Sequence, residues 1–232
     1  MLKHLPNAIT CLNLFLGCLA LYYAFQGQLV VTAFLVFAAA VFDFLDGMVA
    51  RLLQAYSEIG KQLDSLADMV SFGVVPGVTM FMLISQGIKP GVSNMMFMPF
   101  SGFLITIFSA LRLAKFNIDT RQTSSFIGLP TPACTLFVVS LPLILAYDTL
   151  GLSAFILNPI FLYTSTLVLS YLLIAELPLF ALKFSNLRWQ ENAHRFVFLI
   201  LSVVMLALLQ FTAIPLIIII YIIISIFKAA QS

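Results

Sequence analysis

The stretch Asp43-Phe44-Leu45-Asp46-Gly47-Met48-Val49-Ala50-Arg51, followed after eight residues by Gly60-Lys61-Gln62-Leu63-Asp64-Ser65-Leu66-Ala67-Asp68, sets four carboxylates inside apolar sequence at fixed spacing. A carboxylate within a bilayer costs roughly 2.5–3.5 kcal/mol on insertion scales. Four together also repel one another unless positive charge sits among them. Asp43 and Asp46 are three apart and Asp64 and Asp68 four apart, so each pair shares one helix face. On one straight helix Asp46 and Asp64 would lie about 27 Å apart. They converge only if the chain reverses between them. The pairs Asp46/Asp64 and Asp43/Asp68 are both centred near residue 55, so a hairpin turning at Ala55-Tyr56-Ser57 brings them face to face at matching depths. Ser57 suits the N-cap of the returning helix.

The rest of the chain supplies the setting. Of its 232 residues, 62% are hydrophobic and only 9% charged, where soluble domains run near 25% charged. Apolar runs of about 20 residues mark bilayer spans. Eight are expected, over 8–26, 29–53, 60–85, 95–115, 131–148, 155–176, 194–211 and 214–229. The fold class is therefore an all-α integral membrane bundle of about eight transmembrane helices, with 1–232 as a single domain. The last division is the weakest, because only Phe211-Thr212-Ala213-Ile214-Pro215 marks it; fusing that pair would leave seven spans.

Eight spans with a cytoplasmic N-terminus place Lys3, Arg51, Lys61, Arg112, Lys115, Arg121, Lys183, Arg188, Arg195 and Lys228 inside and only Lys89 outside. That bias follows the positive-inside rule and puts both termini in the cytoplasm. The stretch 182–195, with Trp189 among its basic residues, reads as a loop at the headgroup layer. Met1 to His4 is a basic start, but Pro6, Asn7 and Thr10 interrupt the beginning of the adjoining apolar stretch, so a cleaved leader is not expected. Cys11, Cys18 and Cys134 lack metal-ligand spacing and read as small buried side chains. Ser109 and Ser140 read as packing or back-bonding groups. The scattered basic residues give no nucleic-acid signature.

Asp43 precedes Arg51 by eight residues, so the carboxylates lie about 12 Å from the cytoplasmic end of their helix, at the depth a lipid phosphate reaches. An ion path across the membrane would place them nearer the bilayer centre. An oxygen-only set of four suits Mg²⁺ or Mn²⁺, and two such ions can clamp a diphosphate.

The run fits the pattern D-x-x-D-G-x-x-A-R-x8-G-x-x-x-D-x-x-x-D at all eight fixed positions over residues 43–68. In this it resembles the CDP-alcohol phosphatidyltransferase family. The resemblance implies a membrane enzyme in which an alcohol attacks the lipid-side phosphorus of a CDP-linked lipid and CMP leaves. It implies Asp43, Asp46 and Asp64 as ligands of two Mg²⁺ or Mn²⁺ ions, and Asp68 as general base that also touches a metal. Gly47, Ala50 and Gly60 would make room for the cytidine and its phosphates, and Arg51 would either face phosphate charge or pair with a carboxylate of the motif. Asn7 and Thr10 open the first span as family members do. They either contact the nucleotide or cap the helix, capping being the simpler reading.

Three further stretches are similar to the branch that uses L-serine: Ser65 to Pro76, Ala110 to Asn117, and Phe126 to Pro132. The implied substrates are CDP-diacylglycerol and L-serine. Arg112, Lys115 and Arg121 would bind the serine carboxylate, since arginine presents a fork to that group; anchoring at the membrane face is the simpler role for each. Glycerol 3-phosphate or inositol phosphate would also suit a basic cluster, and an ion transporter using intramembrane carboxylates is the reading from another class. The resemblance further implies a homodimer in the inner membrane with the site facing the cytoplasm.

Overall fold

The computed structural model describes residues 4–88, 97–119, 125–148, 150–180 and 189–229. The chain is mostly helical. The helices are α1 (Leu5–Phe25), α2 (Leu29–Leu52), α3 (Glu58–Asp68), α4 (Val75–Gly87), α5 (Phe103–Ile118), α6 (Thr131–Tyr147), α7 (Ser153–Ile156), α8 (Pro159–Ile174), α9 (Trp189–Leu209) and α10 (Ala213–Ala229). A π-helical segment, Met69–Val74, joins α3 to α4 without a break, and a 3-10 turn, Met98–Gly102, leads into α5. By length and composition, Leu5–Phe25, Leu29–Leu52, Glu58–Gly87, Met98–Ile118 and Arg195–Phe227 can cross a bilayer, with α6 and α8 as shorter apolar helices. This is an integral membrane protein.

The last of those stretches is a hairpin. Gln210 takes a left-handed backbone (φ 50°), and the rings of Phe198 and Tyr221 stand 5.8 Å apart. On a continuous helix those residues would be about 34 Å apart. So α9 and α10 run antiparallel, and the structure supports the division into eight rods over the fused alternative. Trp189 and Arg195, read from sequence as part of a loop, belong instead to the first turns of α9.

The rod Glu58–Gly87 is the centre of the bundle, with two thirds of its apolar window buried. α1, α5, α6 and α8 surround it. Met80, Leu83, Ile84, Ile105, Leu141 and Leu162 fill the core it shares with its neighbours. α1 packs along α2 for most of its length and also meets α3. Cys11 and Cys18 lie on the outward face of α1, and only Cys134 is buried. The expectation of three buried thiols fails because α1 is a peripheral helix whose other face meets lipid.

One feature departs from an all-helical reading. The segments β1 (Ser125–Ile127) and β2 (Pro178–Phe180) pair antiparallel, with Phe126 opposite Leu179. Three residues are too few for a legible period-2 pattern. Gly128 follows at φ +77°, and a Cβ there would come within 2.8 Å of the Leu173 carbonyl. Only glycine fits that turn. The strap ties the start of α6 to the end of α8.

Candidate active site

α2 ends at Leu52, and Gln54 turns the chain with φ 49°. Ser57 is extended and its Oγ accepts from the Gly60 amide at 3.0 Å, so the expected N-cap forms. The reversal sets the carboxylates against one another. Oxygens of Asp43, Asp64 and Asp68 all lie within 4.8 Å of each other. Asp46 falls outside that mutual set. It is 5% exposed and shares the wall of a cavity with Thr10 and Asp64, the Thr10 hydroxyl donating to the Pro6 carbonyl at 3.0 Å. The backbones of α2 and α3 stay apart while α1 packs against both. What bridges the gap is therefore a set of carboxylates and not a packed interface.

Two ionised carboxylates about 5 Å apart repel by about 3 kcal/mol at an effective dielectric near 20. A cation or a proton between the carboxylates relieves that repulsion. Buried oxygens Oδ2 of Asp46 and Oδ1 of Asp68 have no partner. Arg112 is one cation near Asp68, a single charge beside four carboxylates, and the other basic side chains nearby are bonded to backbone. Arg51 donates from Nε to the Gly47 carbonyl at 2.9 Å, and Lys61 donates from Nζ to the Asn117 carbonyl at 3.2 Å. Convergent, unneutralised and oxygen-only, the cluster could hold a divalent cation.

Beside it lies a cavity of about 590 Å³, lined by residues of α1, α2 and α3, within the size range of ligand sites. Asn7, Thr10, Gly47, Ala50 and Gly60 all line it; Arg51 does not. Asn7 and Thr10 are not capping groups. The N-cap of α1 is His4, with no side-chain hydrogen bond, and Asn7 stands inside the first turn facing the cavity. A Cβ on Gly47 would meet nothing within 4 Å, so its absence leaves the cavity open. A Cβ on Gly60 would fall 2.9 Å from Asn7 Oδ1, so the bare backbone there lets α3 approach α1.

Asp68 is held from the other side. The π segment begins at the next residue, and it is anchored to three helices: its own Ser71 bonds to α1, and hydroxyls of α5 and α6 bond to it. Ser71 Oγ donates to the Asn13 carbonyl (3.2 Å), Thr106 Oγ1 to the Gly73 carbonyl (3.0 Å) and Thr135 Oγ1 to the Phe72 carbonyl (2.9 Å). In an α-helical register the Phe72 carbonyl would meet Pro76, which has no N–H to give; the Thr135 hydroxyl, also 2.8 Å from the Thr131 carbonyl, offers a donor there. Ser65, between Asp64 and Asp68, is bonded to the Asn117 side chain of α5. Two of the stretches that resemble the serine-using branch, Ser65 to Pro76 and Ala110 to Asn117, thus bond to each other near Asp68. Arg112 of α5 is buried at 6% exposure, with Asp68 among its electrostatic neighbours. Lys115 is exposed on the last turn of α5, and Arg121 lies outside the described residues. Sequence reasoning missed Asn13, fully buried on α1 with both amide atoms unpartnered. Its spacing of three from Thr10 was the available signal.

The sequence profile of the family described as CDP-alcohol phosphatidyltransferase matches residues 3–180. This chain belongs to the CDP-alcohol phosphatidyltransferase family. Among similar proteins is the CDP-diacylglycerol–serine O-phosphatidyltransferase of Helicobacter pylori strain J99, 40% identical over 139 residues, 58% of this chain and 55% of that one. The chain therefore spans about half the length of that relative. The Bacillus subtilis strain 168 protein of the same name is 32% identical over 180 residues, covering 76% of this chain and 89% of its own. The archaetidylserine synthase of Methanothermobacter thermautotrophicus is 34% identical over 155 residues, 66% and 63% of the two chains. The signature of a CDP-alcohol phosphatidyltransferase is the hairpin that carries the four aspartates, and α9 and α10 lie beyond the matched stretch.

Proposed function

We propose that this protein transfers the phosphatidyl group of CDP-diacylglycerol to the hydroxyl of L-serine, giving phosphatidylserine and CMP. The observation that carries the reading is the set of carboxylate oxygens from Asp43, Asp64 and Asp68 within 4.8 Å of one another, at signature positions of a family whose similar members are named for serine. Relatives named for phosphatidyl and for archaetidyl products share serine in those names, which supports the acceptor more firmly than the donor lipid.

In this reading Asp43, Asp46 and Asp64, with Asp68 alongside, hold two Mg²⁺ or Mn²⁺ ions. Bound there, such ions screen the diphosphate and stabilise charge on the departing CMP. Asn7, Thr10, Gly47, Ala50 and Gly60 shape the cavity for the CDP moiety, with Arg51 at its edge. Asp68 accepts the proton of the serine hydroxyl. The freed oxygen pair forms the new bond to the lipid-side phosphorus, and the phosphorus–oxygen bond to CMP breaks with its electron pair leaving on CMP. Arg112 receives the serine carboxylate, with Lys115 and Arg121 adding positive charge at the same end.

The placement of ten of the eleven basic residues supports cytoplasmic termini and a site facing the cytoplasm of the inner membrane. One domain is proposed for 1–232, supported by the packing of α10 on α6 and β2, and the family resemblance carries a homodimer with it. The test is CMP release by the purified protein with CDP-diacylglycerol and Mn²⁺, offered L-serine, glycerol 3-phosphate or inositol phosphate. Release with serine is expected. Release with a phosphorylated alcohol and none with serine removes the acceptor.

A further inference from the structure

Among the described residues that line the cavity, Asp46, Glu58 and Asp64 are carboxylates and Lys61 is the one cation. Lys61 precedes Asp64 by three residues and Asp68 by seven, so the three share one face of α3. With Glu58 three residues before it and Asp64 three after, an ammonium would be expected to pair with one of them. Among the described residues its Nζ instead meets a neutral group, the Asn117 carbonyl in the last turn of α5, at 3.2 Å. Asn117 is itself fixed to α3. Its Nδ2 donates to Ser65 Oγ at 2.9 Å, and that Oγ lies 3.2 Å from the Lys61 carbonyl. The ammonium is therefore tethered at the cavity wall through one of its three donors, and two remain for a ligand.

We infer that Lys61 receives the phosphate that departs with CMP. The inference rests on the transferase reading. Position selects that phosphate. The attacked phosphorus stands by the base, and Asp68 does not line the cavity. The cavity runs instead from Asp46 and Asp64 to the α2–α3 turn at Ala55, Tyr56 and Ser57, so the second phosphate, with its nucleoside, extends past Lys61. Charge selects it as well. Before transfer that phosphate is a diester with about one negative charge, and once released it is a monoester with about −1.5 to −2. In the transfer the serine hydroxyl gives its proton to Asp68, and its oxygen bonds to the lipid-side phosphorus. The bond from that phosphorus to CMP breaks with its electron pair on the CMP oxygen. Negative charge thus grows beside Lys61, whose ammonium keeps its proton. Its attraction strengthens as the bond breaks, so Lys61 acts on the rate as well as on binding. A lysine is a compact charge on a flexible stem, and a neutral carbonyl is a weaker acceptor for it than a phosphate.

The experiment uses the full chain in detergent with Mn²⁺ and measures equilibrium dialysis of labelled CMP and of labelled cytidine, which lacks the phosphate. A charge-assisted hydrogen bond is worth roughly 10- to 150-fold in affinity, and at an exposed lysine the lower end is expected. Lys61→Met keeps the length of the side chain and removes the charge. It should weaken CMP about tenfold and leave cytidine within about twofold, a split that loss of folding or of cavity shape does not produce. Lys61→Arg restores a cation and should hold CMP within about threefold of the parent. With CDP-diacylglycerol and L-serine, kcat of Lys61→Met should also fall about tenfold. Equal weakening of CMP and cytidine, or an unchanged CMP affinity, overturns the assignment of Lys61; if the parent still releases CMP from CDP-diacylglycerol, the transferase reading stands. A parent protein that neither binds CMP nor releases it from CDP-diacylglycerol overturns both.

Discussion

Asp68 meets two environments at once. It faces Asp43 across the hairpin, stands one turn from Asp64 on α3, and has Arg112 of α5 as an electrostatic neighbour. Removing its charge while keeping its shape separates proton acceptance from binding. Asp68→Asn is expected to lower kcat by about 10²- to 10⁴-fold, with CDP-diacylglycerol binding, read by equilibrium dialysis of labelled lipid in micelles, largely kept. A rate within a few-fold of the parent would remove Asp68 as base. The Arg112→Ala variant should raise KM for serine by more than tenfold and leave KM for CDP-diacylglycerol within about twofold; an unchanged serine KM would return Arg112 to a packing role. Gly60 is tested by size. Gly60→Val would drive side-chain carbons toward Asn7 Oδ1, already 2.9 Å from a Cβ. Its KM for the CDP-lipid should rise.

At the scale of the element, the segment Met69–Val74 holds the site's geometry. Departures from α-helical bonding concentrate at functional sites, and this one begins beside Asp68. Its Gly73 and Phe72 carbonyls accept from Thr106 and Thr135 on neighbouring helices. Thr135→Val strips the donor from Phe72 and leaves a buried carbonyl unsatisfied, at about 1–3 kcal/mol. The midpoint of thermal unfolding in detergent should fall by several degrees, whereas Thr164→Val, at an exposed hydroxyl on α8 that bonds only within its own helix, should leave it nearly unchanged. Equal midpoints for the two variants would deny Thr135 that role.

Across the whole molecule, the charged helix ends gather at one end of the bundle. Lys61 bonds to Asn117 there, and β1 pairs with β2. In Ser57→Cys, a thiol placed in the α2–α3 turn should react with a membrane-impermeant maleimide in inverted vesicles and not in intact cells. The opposite result would reverse the proposed orientation. Exhaustive chelation should abolish CMP release, and Mn²⁺ or Mg²⁺ should restore it. Activity that persists through chelation would leave the three facing carboxylates without their counter-charge.

The sequence alone determined the membrane setting, the hairpin and the identity of the four aspartates. Those signals are local: apolar runs of span length, helical spacing of three and four, a serine fit to cap a returning helix. Tertiary structure alone decided that Asp46 falls outside the mutual set of the other three carboxylates, and that Asn7 faces the cavity when a cap was the simpler reading. It alone brought the Tyr221 hydroxyl to the Phe180 carbonyl, 41 residues earlier in the chain, and separated α9 from α10. Such pairings come from how eight rods settle around the most buried one, and no periodicity along a single rod encodes which neighbour its face will meet.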